Sequence, residues 1–261
     1  MKIKFYKYQG TGNDFIMVDD RNKTFDATNQ KLIESLCDRR FGVGADGMIL
    51  LQNHAGADFY MQYFNSDGRE SSMCGNGGRC IAQFAKDLKI VGDIATFYAV
   101  DGEHTVSFKN NWVNLQMMDV AEVQERTNNV FVLNTGSPHY VQFFDVDVDS
   151  IDLVTEAKKI RYNEEFADKG INVNFVSVHN NILKVRTYER GVEDETFSCG
   201  TGVTAAAIAF HKQSGNNEPT IQIETKGGNL SVNYLFSNNV FTNVHLNGPA
   251  TFVYDGEIMI P

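Results

Sequence analysis

Apolar and polar residues alternate at a period of two over most of the chain: Ile3 to Tyr8, Phe15 to Asp19, Met48 to Leu51, Phe59 to Phe64, Ala95 to Val100 and Trp112 to Met117, with many similar runs after Val130. That period predicts half-buried strands as the dominant element. Helices are few. Thr28 is placed to cap one that carries Leu32, Ile33, Leu36 and Cys37 inward, ended by Arg39, Arg40 and Gly42. A second starts just after Cys74-Gly75-Asn76-Gly77, where Ile81, Phe84, Ala85 and Leu88 recur at helical spacing. A third follows Cys199-Gly200-Thr201-Gly202, and its body from Ala205 to Phe210 is apolar on every side. Such a helix has to be buried all round. The stretch from Ile151 to Arg161 supplies a fourth, amphipathic one.

The chain also resembles itself. Aligning Cys74 with Cys199 without gaps puts Tyr63 on Tyr188, Glu70 on Glu195, Gly75 on Gly200, Gly77 on Gly202 and Ala82 on Ala207. Thr11-Gly12-Asn13 meets Thr135-Gly136-Ser137, and Gly42 meets Gly170, within a few residues of the same frame. Ordered landmarks at one spacing are the mark of an internal repeat. The expected fold is α+β: two similar halves, each a curved mixed sheet wrapped around a buried central helix, with the active site in the cleft between them. The expected division is 1–118 plus 249–261 for the half with Cys74, and 119–248 for the half with Cys199.

Composition narrows the function classes. The 261 residues are 42% hydrophobic and 21% charged, enough for a sizeable core and incompatible with wholesale disorder. No apolar run approaches the roughly 18 residues of a membrane-spanning helix, and lysines interrupt the N-terminal strand, so neither a membrane nor a signal peptide is expected. A net charge of −10, with Lys158-Lys159-Ile160-Arg161 as the densest basic cluster, argues against a nucleic-acid partner. Four cysteines, at 37, 74, 80 and 199, without paired spacing or scaffold density, point to a reducing cytoplasm.

Two of these cysteines sit where a thiol is useful. A helix N-terminus presents N–H groups with no partner in the helix and about half a positive charge, which attracts anions and favours a thiolate. Glycines at 75, 77, 200 and 202 leave the amides open to a ligand such as a carboxylate. If the repeat brings both helix starts to one substrate, a thiolate and a thiol face opposite sides of one carbon. That is the requirement for inverting a stereocentre by proton transfer with neither metal nor cofactor. Cys37, read as mid-helix, and Cys80, six residues into the second helix, read instead as small core residues.

Several segments carry a resemblance. Tyr8-Gln9-Gly10-Thr11-Gly12-Asn13-Asp14-Phe15, Arg40-Phe41-Gly42-Val43-Gly44-Ala45-Asp46-Gly47, Asn65-Ser66-Asp67-Gly68, Met73-Cys74-Gly75-Asn76-Gly77, Asn172-Val173-Asn174-Phe175, Tyr188-Glu189-Arg190-Gly191, Ser198-Cys199-Gly200-Thr201-Gly202, Gly248-Pro249-Ala250 and Tyr254-Asp255-Gly256 run over almost the whole chain. Together they resemble the signature segments of the diaminopimelate epimerase family, in family order. The resemblance implies a cofactor-independent enzyme interconverting LL- and meso-diaminopimelate on the route to lysine, and a last strand that returns to complete the first half. It makes Cys74 and Cys199 the acid/base thiols, with the amides of Gly75, Asn76, Gly200 and Thr201 on the reacting carboxylate. It assigns Asn13, Asn65, Asn172 and Arg190 to substrate binding, Glu189 to an amine or to tuning a thiol, and His139 and Ser137 to supporting places. A guanidinium fork suits a carboxylate and a glutamate suits an ammonium, so these roles are chemically sensible. Two positions depart from the family pattern: Gly47, where some members carry glutamine, and Ser137, where many carry asparagine.

The nearest alternative is a proline racemase or hydroxyproline epimerase of the same architecture. Its small ring substrate leaves nothing for Asn65, Asn172, Glu189 and Arg190 to hold. A zinc-binding module using Cys74, Cys80, Cys199 and His139 is the non-enzyme alternative, but the Cys74–Cys80 gap is outside the usual spacing. The oligomeric state stays open at this level, a homodimer included.

Overall fold

A computed structural model describes residues 2–127, 129–215 and 218–260. The chain divides into two compact units, Met1–Leu115 with Gly248–Pro261, and Gln116–Asn247. Residues 116–118 therefore go with the second unit and Gly248 with the first, a shift from the boundary expected at 118. The cause is local: Met117 N–H donates to Val244 O at 2.8 Å, and Val120 exchanges backbone hydrogen bonds with Phe241.

In the first unit, β1 (Lys2–Gly10), β2 (Asn13–Asp19), α1 (Gln30–Cys37), β3 (Gly47–Gln52), β4 (Phe59–Asn65), β5 (Glu70–Ser71), α2 (Gly75–Asp87), β6 (Ile94–Ala99), β7 (Gly102–Lys109) and β8 (Trp112–Gln116) follow in order. The second unit runs β9 (Val123–Thr127), β10 (Val130–Asn134), β11 (Pro138–Phe143), α3 (Leu153–Arg161), β12 (Asn172–His179), β13 (Ile182–Glu189), β14 (Asp194–Thr196), α4 (Gly200–Ser214), β15 (Thr220–Thr225), β16 (Gly228–Ser237) and β17 (Val240–Gly248). The chain then returns as β18 (Thr251–Met259), antiparallel to β1.

The repeat is explicit in the pairing. In the first unit β1–β2 is antiparallel, β2–β3 parallel, β3–β4 and β4–β5 antiparallel, β4–β6 parallel, and β6–β7 and β7–β8 antiparallel. In the second, β10–β11, β11–β12, β12–β13, β13–β14, β13–β15, β15–β16 and β16–β17 follow the same sequence of senses. Even the extra strand matches: β18 pairs with β1 as β9 pairs with β10.

Each sheet curls around one helix. Helix α2 lies against β1, β2, β3, β4 and β18, and α4 against β10 to β13, β15 and β16. Eleven of the fifteen residues of α4 are buried, because a body of alanines, Ile208 and Phe210 lets the sheet approach from all sides. Burying Ile208 or Phe210 contributes about 1.5–3 kcal/mol each. Two details of α1 differ from the sequence reading. Its cap is Asn29, whose side chain accepts from Leu32 N–H, while Thr28 is held back by Asp26. Cys37 is its last residue, buried, not a mid-helix one.

Three hairpins turn on Asn-Asn pairs: Asn110-Asn111 between β7 and β8, Asn180-Asn181 between β12 and β13, and Asn238-Asn239 between β16 and β17. Both residues of each pair have φ between 51° and 66°. Two left-handed residues match the right-handed twist of the flanking strands, and asparagine tolerates that conformation.

Candidate active site

The first unit gathers its candidate residues on one edge of the sheet. Because β2 and β3 are parallel and β4 runs back, the start of β2, the start of β3 and the end of β4 coincide, which places Asn13, Gly47 and Asn65 on that edge. Asn65 closes the β4–β5 turn with its backbone, donating to Arg69 O and accepting from Gly68 N–H. Cys74 then N-caps α2 in extended conformation (φ −97°, ψ 133°), and its side chain makes no cap bond to its own helix.

A string of polar groups runs from this thiol. Cys74 Sγ lies 3.7 Å from Asn13 Oδ1, which also accepts from Asn76 Nδ2 at 3.4 Å. Asn13 Nδ2 donates to Asp46 Oδ2 at 2.7 Å. A carboxylate only accepts, so Asp46 fixes the Asn13 amide with its oxygen toward the cysteine. Arg39 bonds both Asp46 and Asp14, and Lys7 pairs with Asp14 and donates to Gly44 O. Burial alone would raise the Asp14 carboxyl, but the hydrogen bonds from Arg39 and Lys7 outweigh it and hold it well below the usual carboxylate range. At the other end of the string, Arg79 of α2 is fully buried and donates to Asn76 Oδ1 at 2.9 Å.

In the second unit Cys199 N-caps α4 in the same way (φ −114°, ψ 114°). Its Sγ is 3.4 Å from Thr201 Oγ1, which lies 2.9 Å from His139 Nε2. His139, the second residue of β11, lies opposite Asn172, and Asn174, two residues along β12, sits opposite Thr187. Asn174 is oriented from both sides: Thr187 Oγ1 donates to its Oδ1, while its Nδ2 donates to Tyr140 O and to His139 Nδ1. With Nδ1 accepting, the ring proton of neutral His139 is on Nε2 and points at Thr201 Oγ1. The threonine hydroxyl is thereby left to donate to Cys199, an arrangement that favours a thiolate. Burial, with the charge of Arg190 adding to it, pulls the His139 pKa down to about 3, so the ring stays neutral at ordinary pH. Gly202 keeps the array clear, since a Cβ there would come within 2.4 Å of Asn174 Oδ1.

Asn172 is almost fully engaged. Its Nδ2 donates to Ser137 Oγ at 2.9 Å and to Pro138 O at 3.2 Å, and its Oδ1 accepts from Arg190 N–H at 2.8 Å. It holds Ser137 and Arg190 in place. The Arg190 guanidinium is exposed and donates to two neutral oxygens, Lys169 O at 2.9 Å and Ser137 Oγ at 3.5 Å, which leaves its charge for an anion. Gly170 makes room for its stem: a Cβ there would meet Arg190 Cδ at 2.5 Å. Glu189 ends β13 half-buried, and the turn beyond is tied by Glu193, which accepts from Arg161, Tyr162, Tyr188 and Gly191 N–H.

Other expected features resolve plainly. Burial pushes the thiols of Cys37 and Cys80 up to about 12, as befits core cysteines. Gly47 has no space for a side chain, because a Cβ would lie 2.6 Å from both the backbone Phe64 O and the Tyr63 ring. Among the described residues no group of three or more His, Cys, Asp or Glu is arranged to hold a metal ion, and no helix is long and apolar enough to cross a membrane. Sequence reasoning passed over Asp46, Asn174, Thr187 and Arg79. Of these only Arg79 left a local signal, a charge between the glycines and the apolar body of a buried helix.

Two units of the same strand order, each curled around one central helix, define a recognisable class of folds. A phenazine biosynthesis protein of the PhzF family from Bacillus anthracis matches over the whole of both chains with a TM-score of 0.76 at 12% identity. A hydroxyproline epimerase from Agrobacterium vitis matches 98% of this chain and 92% of its own with a TM-score of 0.68 at 11% identity. Within that class, the sequence selects one branch. The model of the family described as diaminopimelate epimerase matches residues 5–124 and 131–253. The diaminopimelate epimerase of Flavobacterium psychrophilum is 52% identical over 258 residues, 98% of this chain and 100% of that protein. The chain belongs to the diaminopimelate epimerase family.

Proposed function

We propose that this protein interconverts LL- and meso-diaminopimelate on the route to lysine, by proton transfer between the substrate α-carbon and two cysteines, in the cytoplasm and without a cofactor. The observation that carries the reading is the duplicated one: in each unit a short strand, β5 or β14, is followed three residues later by a cysteine that heads a buried helix beside a polar array. In the reaction one sulfur, as thiolate, takes the α-proton. The substrate carboxylate, held by the amides of Gly75 and Asn76 or of Gly200 and Thr201, accepts the charge that develops. The other sulfur, as thiol, returns a proton to the opposite face, and the two sulfurs exchange protonation states. The reading requires Cys74 and Cys199 to act on opposite faces of one carbon. Arg190 grips the distant carboxylate and Glu189 the distant ammonium, with Asn13 and Asn65 adding neutral contacts and Asn172, Ser137 and His139 positioning them.

The test is an assay of the purified protein on LL-diaminopimelate, meso-diaminopimelate and L-proline. Conversion of the first two into one another, with L-proline left unchanged, supports the reading. Racemisation of L-proline in preference to the diaminopimelates would replace it with the ring-substrate alternative.

A further inference from the structure

Two turns occupy the same place in the repeat. The frame that sets Cys74 on Cys199 sets Gly68, in the β4–β5 turn, on Glu193, in the β13–β14 turn. Their backbones agree: φ is 78° at Gly68 and 58° at Glu193. Gly68 N–H donates to Asn65 O at 2.9 Å, and Glu193 N–H donates to Glu189 O at 2.8 Å. This left-handed conformation favours glycine and strains a glutamate. In the first unit glycine is required twice over, since a Cβ at Gly68 would also come within 2.2 Å of Gln30 O. The second unit keeps the strained residue, and such residues persist where their surroundings over-determine them.

The surroundings here are the partners of the carboxylate. Glu193 Oε1 accepts from Arg161 Nη2 at 2.9 Å and from Arg161 Nε and Gly191 N–H, both at 3.2 Å. Oε2 accepts from the hydroxyls of Tyr162 at 2.9 Å and Tyr188 at 3.1 Å. One side chain thus joins the end of α3, the end of β13 and the turn itself. Burial alone would raise this carboxyl, but the hydrogen bonds it accepts outweigh it and hold it below the usual range, so it remains an acceptor.

The turn so held carries Glu189 and Arg190. Arg190 N–H donates to Asn172 Oδ1, and its stem crosses Gly170, where a Cβ would meet Arg190 Cδ at 2.5 Å and Arg161 Cζ at 3.0 Å. Two arginines therefore meet over one glycine. Glu193 pairs with Arg161, whereas Arg190 donates to the neutral oxygens of Lys169 and Ser137.

We propose that Glu193 is a positioning residue for substrate binding: its carboxylate clamps the 189–193 turn to Arg161, Tyr162 and Tyr188, fixes where Arg190 and Glu189 meet the far end of the substrate, and neutralises the arginine beside Arg190. This rests on the diaminopimelate reading and deepens it with a residue that acts through the turn.

The test compares wild type, Glu193→Gly and Glu193→Gln by steady-state kinetics on LL-diaminopimelate, thermal melts, and amide hydrogen exchange over residues 188–193. Glycine suits the left-handed backbone, so Glu193→Gly should fold and melt within a few degrees of wild type. Without the clamp its KM should rise about tenfold while kcat stays within about threefold, because Arg190 and Glu189 hold the far end alike in the ground and transition states. Exchange at the Arg190 and Gly191 amides should quicken about tenfold. Glu193→Gln keeps an acceptor for Arg161 and Gly191, and tyrosine hydroxyls turn to accept from its amide, so its KM should stay within about threefold of wild type. Four results would overturn the proposal: an unchanged KM in Glu193→Gly, unaltered exchange in that variant, a KM in Glu193→Gln as high as in Glu193→Gly, or a Glu193→Gly chain that does not fold. The last would make Glu193 a residue of general stability. If wild type does not turn over diaminopimelate, the function itself fails, and exchange in the two variants decides the clamp.

Discussion

Cys199→Ala should fold normally and epimerise diaminopimelate at least about a thousandfold more slowly than wild type, and Cys74→Ala should do the same. The reason is that a missing proton acceptor or donor is a loss in the transition state, which tighter substrate binding does not offset. Stability should change little, by less than about 1 kcal/mol, because neither sulfur makes the cap bond of its own helix and each removal is a single small atom. Progress curves from both epimers, read beside thermal melts, check both halves of this statement. A Cys199→Ala variant with a wild-type melt and near wild-type rate would remove Cys199 from the chemistry.

The second large effect is on stability and comes from His139. In the folded protein its pKa is about 3, against 6.5 when unperturbed, so between these values the unfolded chain binds a proton that the folded one does not. Stability from this site is therefore fully present above about pH 6.5 and falls as pH drops, by about 1.4 kcal/mol per pH unit once well below it. His139→Gln is the informative reference. A glutamine does not titrate, and it offers an acceptor for Asn174 and a donor for Thr201. Denaturant unfolding of the two proteins from pH 7 to pH 4 should show wild type losing about 3 kcal/mol relative to the variant. Parallel curves would mean that the ring is solvated or protonated in the fold. A neutral His139 has no imidazolium proton to give at neutral pH, and its one ring proton is directed at Thr201, in keeping with the acid and base roles proposed for the sulfurs.

What the sequence made legible follows from how local each signal is. The cysteine at a helix start, with glycines behind it, is a property of four consecutive residues, and it was readable at both Cys74 and Cys199. The repeat was readable because it preserves spacing. The wrap of each sheet around an apolar helix followed from the unbroken run Ala205 to Phe210. By contrast, the groups behind each thiol come from several elements: in the first unit Asp46, just before β3, reaches Asn13 of β2, and in the second Asn174 of β12 meets Thr187 of β13, each pair brought together only by strand register. No spacing along the chain encodes that. The engagement of Asn172 with Ser137 and Arg190 was hidden for the same reason, since it depends on the parallel pairing of β11 with β12. The capping error at α1 is a closer contest, two polar residues in succession, decided by Asp26 holding Thr28 and freeing Asn29 for Leu32. The three Asn-Asn turns were a signal in plain view, each flanked by apolar runs, that strand periodicity alone does not weigh.

The central claim is that two different sulfurs serve the two faces of one carbon, and deuterium incorporation in heavy water tests it most directly. The donating thiol carries solvent deuterium, while the proton removed goes to the other sulfur. Early in the reaction from LL-diaminopimelate, product should carry deuterium at the inverted carbon while recovered substrate stays largely unlabelled, and starting from the meso epimer should give the mirror result. Product that retains protium, or substrate labelled before it is converted, would show one base working both faces and would contradict the assignment of Cys74 and Cys199 as a pair.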